Sequence, residues 1–395
     1  MRLVDILKKA QEQEQKNSES AQEGSLHSEQ RPEQQNTSNP IPDGDTECPQ
    51  KDCVYDETDA DIELLPEDEI ENDESASSMN VSSAIRKMTK PATEEESEQI
   101  YKELIALTEE IFEDIEYSYI DNDQLIVLME KVVDQLTLEN PYLLRYAFTR
   151  DTVDADYLVG HSAATCIYSV NMGLGLNYSR AKLIELAAAA LIHDIGMVGF
   201  LDLSNRAKEL TSQEYVTIKG HTDKGHDYLE TVDGLTEDVV RAAFQHHERL
   251  DGSGYPEGLK SESISEYAKI IAIADVYTAM INPRLYRDNY LPASAFEFLL
   301  KNKEKFGAKY IKLLMERVGI YPVGSLVELN TRQFAQVTEP NYVVSIRPTV
   351  TILKEADGQV SEDFNEVDLH SRTTTHISRG LPKSELAGYQ NTARL

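Results

Sequence analysis

Apolar side chains recur at three- and four-residue steps, first at Ile100, Leu104, Leu107, Ile111 and Ile115, then at Leu125, Leu128, Val132 and Leu136. This period predicts two amphipathic helices from Glu94 onward. Asn140-Pro141 marks a boundary behind them. Between about 151 and 320 helical patterns dominate, interrupted by Gly- and Pro-containing loops at Asp251–Pro256 and Asn282–Arg284. After Tyr321-Pro322 the texture turns β-rich, with runs at Ser325–Leu329, Gln333–Thr338 and Val343–Leu353. The last thirty or so residues are polar and are expected to be loosely ordered. The pattern predicts a mainly α protein with a small helical region over 94–150, a helical bundle over 151–320 and a short β-rich segment with a polar tail over 321–395. No internal repeat is visible.

Composition adds a fourth region. Residues 1–100 hold 9 basic and 26 acidic side chains, a net charge of −17, and their only aromatic is Tyr55. So little apolar surface cannot offset the entropy of ordering, and residues 1–93 read as a disordered acidic tail. Leu3, Ile6 and Leu7 make a short apolar stripe at its start, read as a frayed end or a small docking helix. The whole chain of 395 residues carries −32. That charge argues against DNA or RNA as a partner, because nonspecific nucleic-acid binding needs a basic field. The longest unbroken apolar runs, Leu186 to Ile192 and Ile270 to Ala274, fall short of the roughly 18 residues that span a bilayer. With no secretory pattern after Met1, a cytoplasmic location without a membrane span is expected. Cys48, Cys53 and Cys166 form no C-x-x-C pair; the first two read as solvent-facing and the third as packed.

Eight of the nine histidines lie beyond residue 150. His193 follows Leu186, Ala189 and Ala190 by seven, four and three residues, which places it on an inward-facing helical stripe. Asp194 stacks over Ala187, Ala190 and Leu191 in the same way. His246 follows Val239, Ala242 and Ala243, His247 follows Val240, Ala243 and Phe244, and Asp275 is the one anion of an apolar segment from Ile270 to Ile281. Each alone reads equally as a satisfied core histidine or a capping Asp. Jointly, inward-facing imidazoles and carboxylates call for a cation, and nitrogen and oxygen donors without thiolate suit a first-row divalent ion better than a structural zinc cage.

At these residues the sequence resembles the HD-GYP branch of the HD phosphohydrolase superfamily. His193-Asp194 matches the HD doublet, and the eleven residues from His246 to Pro256, HHERLDGSGYP, match the GYP signature, with Gly258 following. The resemblance spans roughly Asp151 to Gly319 and implies a helical HD-type bundle. It further implies two divalent metal ions, iron or manganese: His161, His193, Asp194 and Asp275 around the first, with Asp194 bridging to a second held by His221, His246 and His247. Where some relatives place a Glu for a third metal, Tyr157 stands here. His226, five residues after His221, is expected to face elsewhere.

The implied reaction is hydrolysis of cyclic di-GMP to linear pGpG, and on to GMP, by water activated between the ions, with His193 and Asp194 as the catalytic doublet. Tyr255 is implied to meet a guanine base, and Arg284 and Arg287 to meet phosphate or guanine. Glu248 and Asp251 read as supports of the loop. Three positions depart from the pattern. Met197 stands where HD-I-G-K has its Lys, Thr278 replaces an Asp, and Leu285 replaces a Pro. Methionine cannot carry the lost charge, so a slow enzyme or a cyclic di-GMP receptor is the rival reading. A signalling scaffold working through the acidic tail is another, as is a different cyclic dinucleotide. A homodimer and a protein partner for the tail stay open.

Overall fold

The computed structural model describes residues 93–113, 115, 119–149, 156–204, 210–282, 290–361, 363–382 and 385. The expected disordered tail, with Leu3, Ile6, Leu7, Cys48 and Cys53, lies outside the described residues, as do Leu285, Arg284 and Arg287. Helix α1 (Glu94–Glu113) opens on a reciprocal cap: the Glu96 amide donates to the Thr93 hydroxyl at 3.2 Å, and the Thr93 amide donates to the Glu96 carboxylate at 2.8 Å. Its buried face is Tyr101, Leu104, Ile105, Leu107, Ile111 and Phe112, and Ile115 falls beyond its end. Helix α2 (Asn122–Thr137) buries Leu125, Leu128, Val132 and Leu136 as the periodicity requires. The expected boundary at Asn140-Pro141 is instead the start of another helix, α3 (Pro141–Thr149). Proline is pre-shaped for the first helical position. Buried Asn140 accepts from the Tyr142 amide and donates to Ser97 and Gln135, so this junction ties α1, α2 and α3 together.

The helical bundle is organised around α4 (Tyr157–Gly175), in which every residue from Leu158 to Gly173 is buried. A helix apolar all round must be surrounded, and α4 packs against α5 (Arg180–Ile192) and α10 (Glu266–Ile281), with α1, α3 and α13 (Ala308–Val318) on its remaining sides. Cys166 is fully buried here, 3.9 Å from the Met129 sulfur, and burial pushes its thiol well above the ordinary range. After α5 the chain makes a 3-10 turn (Ile195–Phe200) and the short helices α6 (Leu201–Ser204) and α7 (Ser212–Ile218), followed by α8 (His221–Leu229) and α9 (Glu237–Gln245). Behind α10 come α11 (Pro292–Lys301) and α12 (Lys303–Phe306). The stretch Arg180–Leu203, in which 18 consecutive residues reach a mean hydropathy of 1.7, is long and apolar enough by composition to cross a membrane. Counting unbroken runs overlooked it because Lys182, Glu185 and Asp194 interrupt the pattern. Ala187, Ala189, Leu191 and Ile192 are fully buried in the bundle, which accounts for its apolar character as core.

The C-terminal region is a five-stranded antiparallel sheet in the order β4-β3-β2-β1-β5, built from β1 (Leu326–Leu329), β2 (Phe334–Glu339), β3 (Thr349–Lys354), β4 (Glu366–Asp368) and β5 (Ile377–Leu381). Alternation fills its core with Val327 and Leu329, Ala335 and Val337, and Val350 and Ile352. Two expectations are corrected here. The third run begins at Thr349 and not at Val343, because the Asn341 side chain caps the amides of Val343 and Val344 and holds a turn there. The polar end of the chain also supplies β4 and β5, whose few inward residues, Val367, Ile377 and Leu381, are too sparse to show as a pattern. Arg317 on α13 is clasped by Asn171 of α4 through three hydrogen bonds of 2.8–3.1 Å and lies over Tyr342 of the β2–β3 loop.

One backbone approach positions the site. A Cβ built on Gly196 would lie 2.0 Å from the His221 carbonyl oxygen and 2.6 Å from the Gly225 nitrogen. Only glycine lets the 3-10 turn behind Asp194 touch the first turn of α8. Because both obstacles are backbone, Gly196→Ala is expected to cost about 3 kcal/mol, at the upper end for overpacking, and to lower metal content. Urea denaturation and elemental analysis of the purified variant check this.

Candidate metal centre

Three helices end at the same place, and each delivers a histidine there. The last carbonyls of a helix have no intrahelical partner. His193, just past α5, donates its Nδ1–H to the Ala190 carbonyl at 2.8 Å. His221, three residues past Ile218, does the same to the Ile218 carbonyl at 2.7 Å. His246, at the end of α9, does so to the Ala243 carbonyl at 2.7 Å. A carbonyl can only accept, so Nδ1 carries a proton in all three rings, and in the neutral tautomer this leaves the lone pair on Nε2. The three Nε2 atoms point at a common space. His161, in the first turn of α4, and Asp275, inside α10, complete it from the opposite side, with His161 Nε2 and Asp275 Oδ1 3.0 Å apart.

Asp194 sits between two halves of this cluster. Its Oδ1 is 3.4 Å from Nε2 of both His221 and His246. Its Oδ2 is 3.5 Å from Nε2 of His193 and 4.0 Å from Nε2 of His161. One half is therefore His161, His193 and Asp194, bordered by Asp275 through His161; the other is Asp194, His221, His246 and His247. Within each of the two donor groups the ligating atoms lie within 4.8 Å of one another. All seven expected side chains are thus assembled, from five separate stretches of the chain.

The packing of these donors makes a site that could hold a cation. The Nε2 atoms of His221 and His246 face each other at 3.3 Å, which sets two lone pairs against one another. His161 Nδ1, His193 Nε2 and Asp194 Oδ1 are buried without a hydrogen-bond partner. Unmet polar atoms on converging ligands fit a metal centre, and their nitrogen and oxygen chemistry suits a first-row divalent ion. The electrostatics agree. Burial lowers the proton affinity of His246, only partly offset by Asp194. Burial, with His246, His221 and Arg249 nearby, holds His247 well below the ordinary imidazole range. Burial would raise the Asp194 carboxyl, but the imidazoles of His193, His246 and His221 hold it well below the ordinary carboxylate range. Asp275 is lowered too, the His161 contact outweighing burial. Neutral rings and ionised carboxylates are the forms that bind metal.

The GYP stretch forms the wall beside this centre. The Tyr255 ring stacks on His247, centroids 4.7 Å apart and planes 26° from parallel, and its amide donates to the His247 carbonyl. Buried Glu248 accepts from three successive amides, Glu257 at 2.7 Å, Gly258 at 3.0 Å and Leu259 at 2.9 Å. Asp251 accepts from the Ser253 amide and hydroxyl. Both carboxylates hold the loop, as expected. Arg249, which the sequence did not single out, spends one guanidinium nitrogen on the carbonyls of His246 and Glu248 and lies over Phe306. Tyr157 stacks on His161 at 5.7 Å. His226 is turned away onto Phe244. Met197 is half-buried on the 3-10 turn, and Thr278 is fully buried on α10.

Fold and site define a helical HD-type domain with a histidine–aspartate centre that could hold metal, followed by a small antiparallel sheet. Residues 153–309 match the HD domain family, and residues 326–388 match a KOW domain associated with HD domains. The chain is 30% identical over 264 residues to a cyclic di-GMP phosphodiesterase of Pseudomonas aeruginosa, covering 66% of this chain and 64% of that protein. It is 28% identical over 243 residues to a cyclic di-GMP phosphodiesterase of Borreliella burgdorferi, covering 60% and 64%. It is also 32% identical over 172 residues to a 3'3'-cGAMP-specific phosphodiesterase of Vibrio cholerae, covering 42% and 37%. The chain therefore spans just under two thirds of the length of the first two relatives. Residues 153–309 are thus an HD domain, and the GYP stretch from His246 to Pro256 lies within it.

Glu248→Gln keeps the shape of the side chain but turns an amide NH2 toward one of the three backbone N–H groups. Losing one charge-assisted bond and weakening the other two is expected to destabilise the loop by about 2–3 kcal/mol. Hydrogen exchange at Glu257, Gly258 and Leu259 should accelerate while metal content is retained.

Proposed function

We propose that this protein is a metal-dependent cyclic di-GMP phosphodiesterase that opens the cyclic dinucleotide to linear pGpG, and on to GMP. The observation that carries the reading is the Asp194 carboxylate, with one oxygen toward His221 and His246 and the other toward His193 and His161. This supports two ions sharing Asp194, iron or manganese: one held with His161, His193 and Asp275, the other with His221, His246 and His247. Divalent ions there would supply Lewis acidity toward the phosphodiester and lower the pKa of the attacking water.

The chain's own residues supply the rest. The helix-end carbonyls fix the rings of His193, His221 and His246, so no reorganisation is needed when substrate arrives. Tyr255, stacked on His247 beside the donors, would offer its ring to a purine base. Arg284 and Arg287 belong to the same reading through the motif alone. Residues 151–320 form the hydrolase unit, 94–150 a helical region before it, and 321–395 the β-rich segment after it. The names of the first two relatives support guanine, and that of the Vibrio cholerae relative makes 3'3'-cGAMP the competing substrate. Met197 favours a second reading, a receptor that binds without turnover, because no ammonium stands at that position.

The purified protein loaded with Fe(II) or Mn(II) is expected to carry two ions per chain and to release pGpG, followed by chromatography. His193→Ala and Asp194→Ala should fall to the no-enzyme background. Tight cyclic di-GMP binding with no product from the wild type would select the receptor. Met197→Lys is expected to raise kcat by about tenfold to a hundredfold, the scale of one well-placed charge-stabilising group; an unchanged kcat would show that position 197 does not limit the reaction.

A further inference from the structure

In a chain of net charge −32, three cations around the metal centre have no carboxylate within 4 Å among the described residues: Lys219, Lys224 and Arg249. Two of them have evident structural roles. Arg249 is tied to backbone carbonyls and to Phe306. Lys224 is exposed and lies over Phe200 at the end of the 3-10 turn, 4.3 Å from the ring centroid. Lys219 is different. Its ammonium is held only by aromatic faces, 5.0 Å from the Tyr215 centroid and 4.9 Å from that of Tyr255.

The backbone beneath Lys219 is firmly placed. Its amide donates to the Tyr215 carbonyl, and its own carbonyl accepts from the amide and hydroxyl of Thr222, the residue after His221. Its side chain reaches the Tyr255 ring that stacks on His247. A base stacking on Tyr255 would have to displace this ammonium, or meet the edge of the ring. An ammonium on a flexible four-carbon stem, held by ring quadrupoles and not by a carboxylate, is free to exchange that contact for a phosphate oxygen. Met197 leaves this centre without the cation its family resemblance calls for.

Resting on the phosphodiesterase reading, we propose that Lys219 is a substrate-binding cation of this site: it leaves the Tyr215–Tyr255 cradle to bind a nonbridging oxygen of the phosphodiester, taking the part that position 197 cannot. The test compares Lys219→Met, Lys219→Arg, Lys224→Met and the double variant Lys219→Met with Met197→Lys in the metal-loaded full chain. Binding of a phosphorothioate analogue of cyclic di-GMP is measured by calorimetry, turnover by product release, and metal content by elemental analysis. Lys219→Met is expected to weaken analogue binding by about 10- to 100-fold, the scale of a hydrogen bond to a charged group, at unchanged metal content. Lys219→Arg should keep most of the affinity, Lys224→Met should stay within about threefold of wild type as for other exposed charges, and Met197→Lys should restore the Lys219→Met variant. Wild-type affinity in Lys219→Met, or an equal loss in Lys224→Met, overturns the proposal. If the wild type neither binds nor cleaves any cyclic dinucleotide, the phosphodiesterase reading falls by itself. Inorganic phosphate is then the probe, and equal phosphate affinity in wild type and Lys219→Met overturns the role of Lys219 as well.

Discussion

The metal centre depends on one repeated interaction, an imidazole N–H donated to a carbonyl that a helix leaves unpaired at its end. At Ala190, Ile218 and Ala243 that bond fixes which nitrogen of His193, His221 and His246 carries the proton, and it aims the bare nitrogen inward. The same carbonyls form the negative ends of the helix dipoles, so the field where α5, α7 and α9 stop favours a cation. Satisfying helix ends and building a metal site are here one act of packing.

Asp194 stands between the two halves of this arrangement. A carboxylate buried among three neutral imidazoles would ordinarily be costly. Its two oxygens face different histidine pairs, where a cation held between rings and carboxylate would balance the charge. The close crossing at Gly196 holds Asp194 against His221, and the Glu248 clamp holds the GYP loop against His247 through Tyr255. Each contact restrains a donor from outside the centre.

Charge is distributed to match. Among the described residues, Glu103, Glu130 and Asp134 are paired with Lys131 and Arg180 on exposed faces of the bundle, and not at the centre. Near it stand Lys219, Lys224 and Arg249, none paired with a carboxylate among the described residues. An acidic protein can therefore present a local cationic face to an anionic ligand.

Much of the site was legible in the sequence, since helical period put His193, Asp194, His246 and His247 on inward faces, Asp275 stood out as the one anion of its apolar segment, and the family resemblance added His161 and His221. The helical core was equally plain, because α1, α2 and α10 repeat apolar residues over three or more turns. Short strands were not: β4 and β5 are fixed by pairing with β3 and β1, and three to five residues hold too little alternation to announce themselves. Nor could the chain reveal that Asn140-Pro141 joins helices, or that Lys219 rests on Tyr255, thirty-six residues away. Periodicity reports which way a side chain faces within its own element, and so the sequence determined the donors and their inward direction. Which donors meet, which oxygen of Asp194 serves which ring, and which cation overlooks them were decided by tertiary packing, because those are distances between elements that no local pattern encodes.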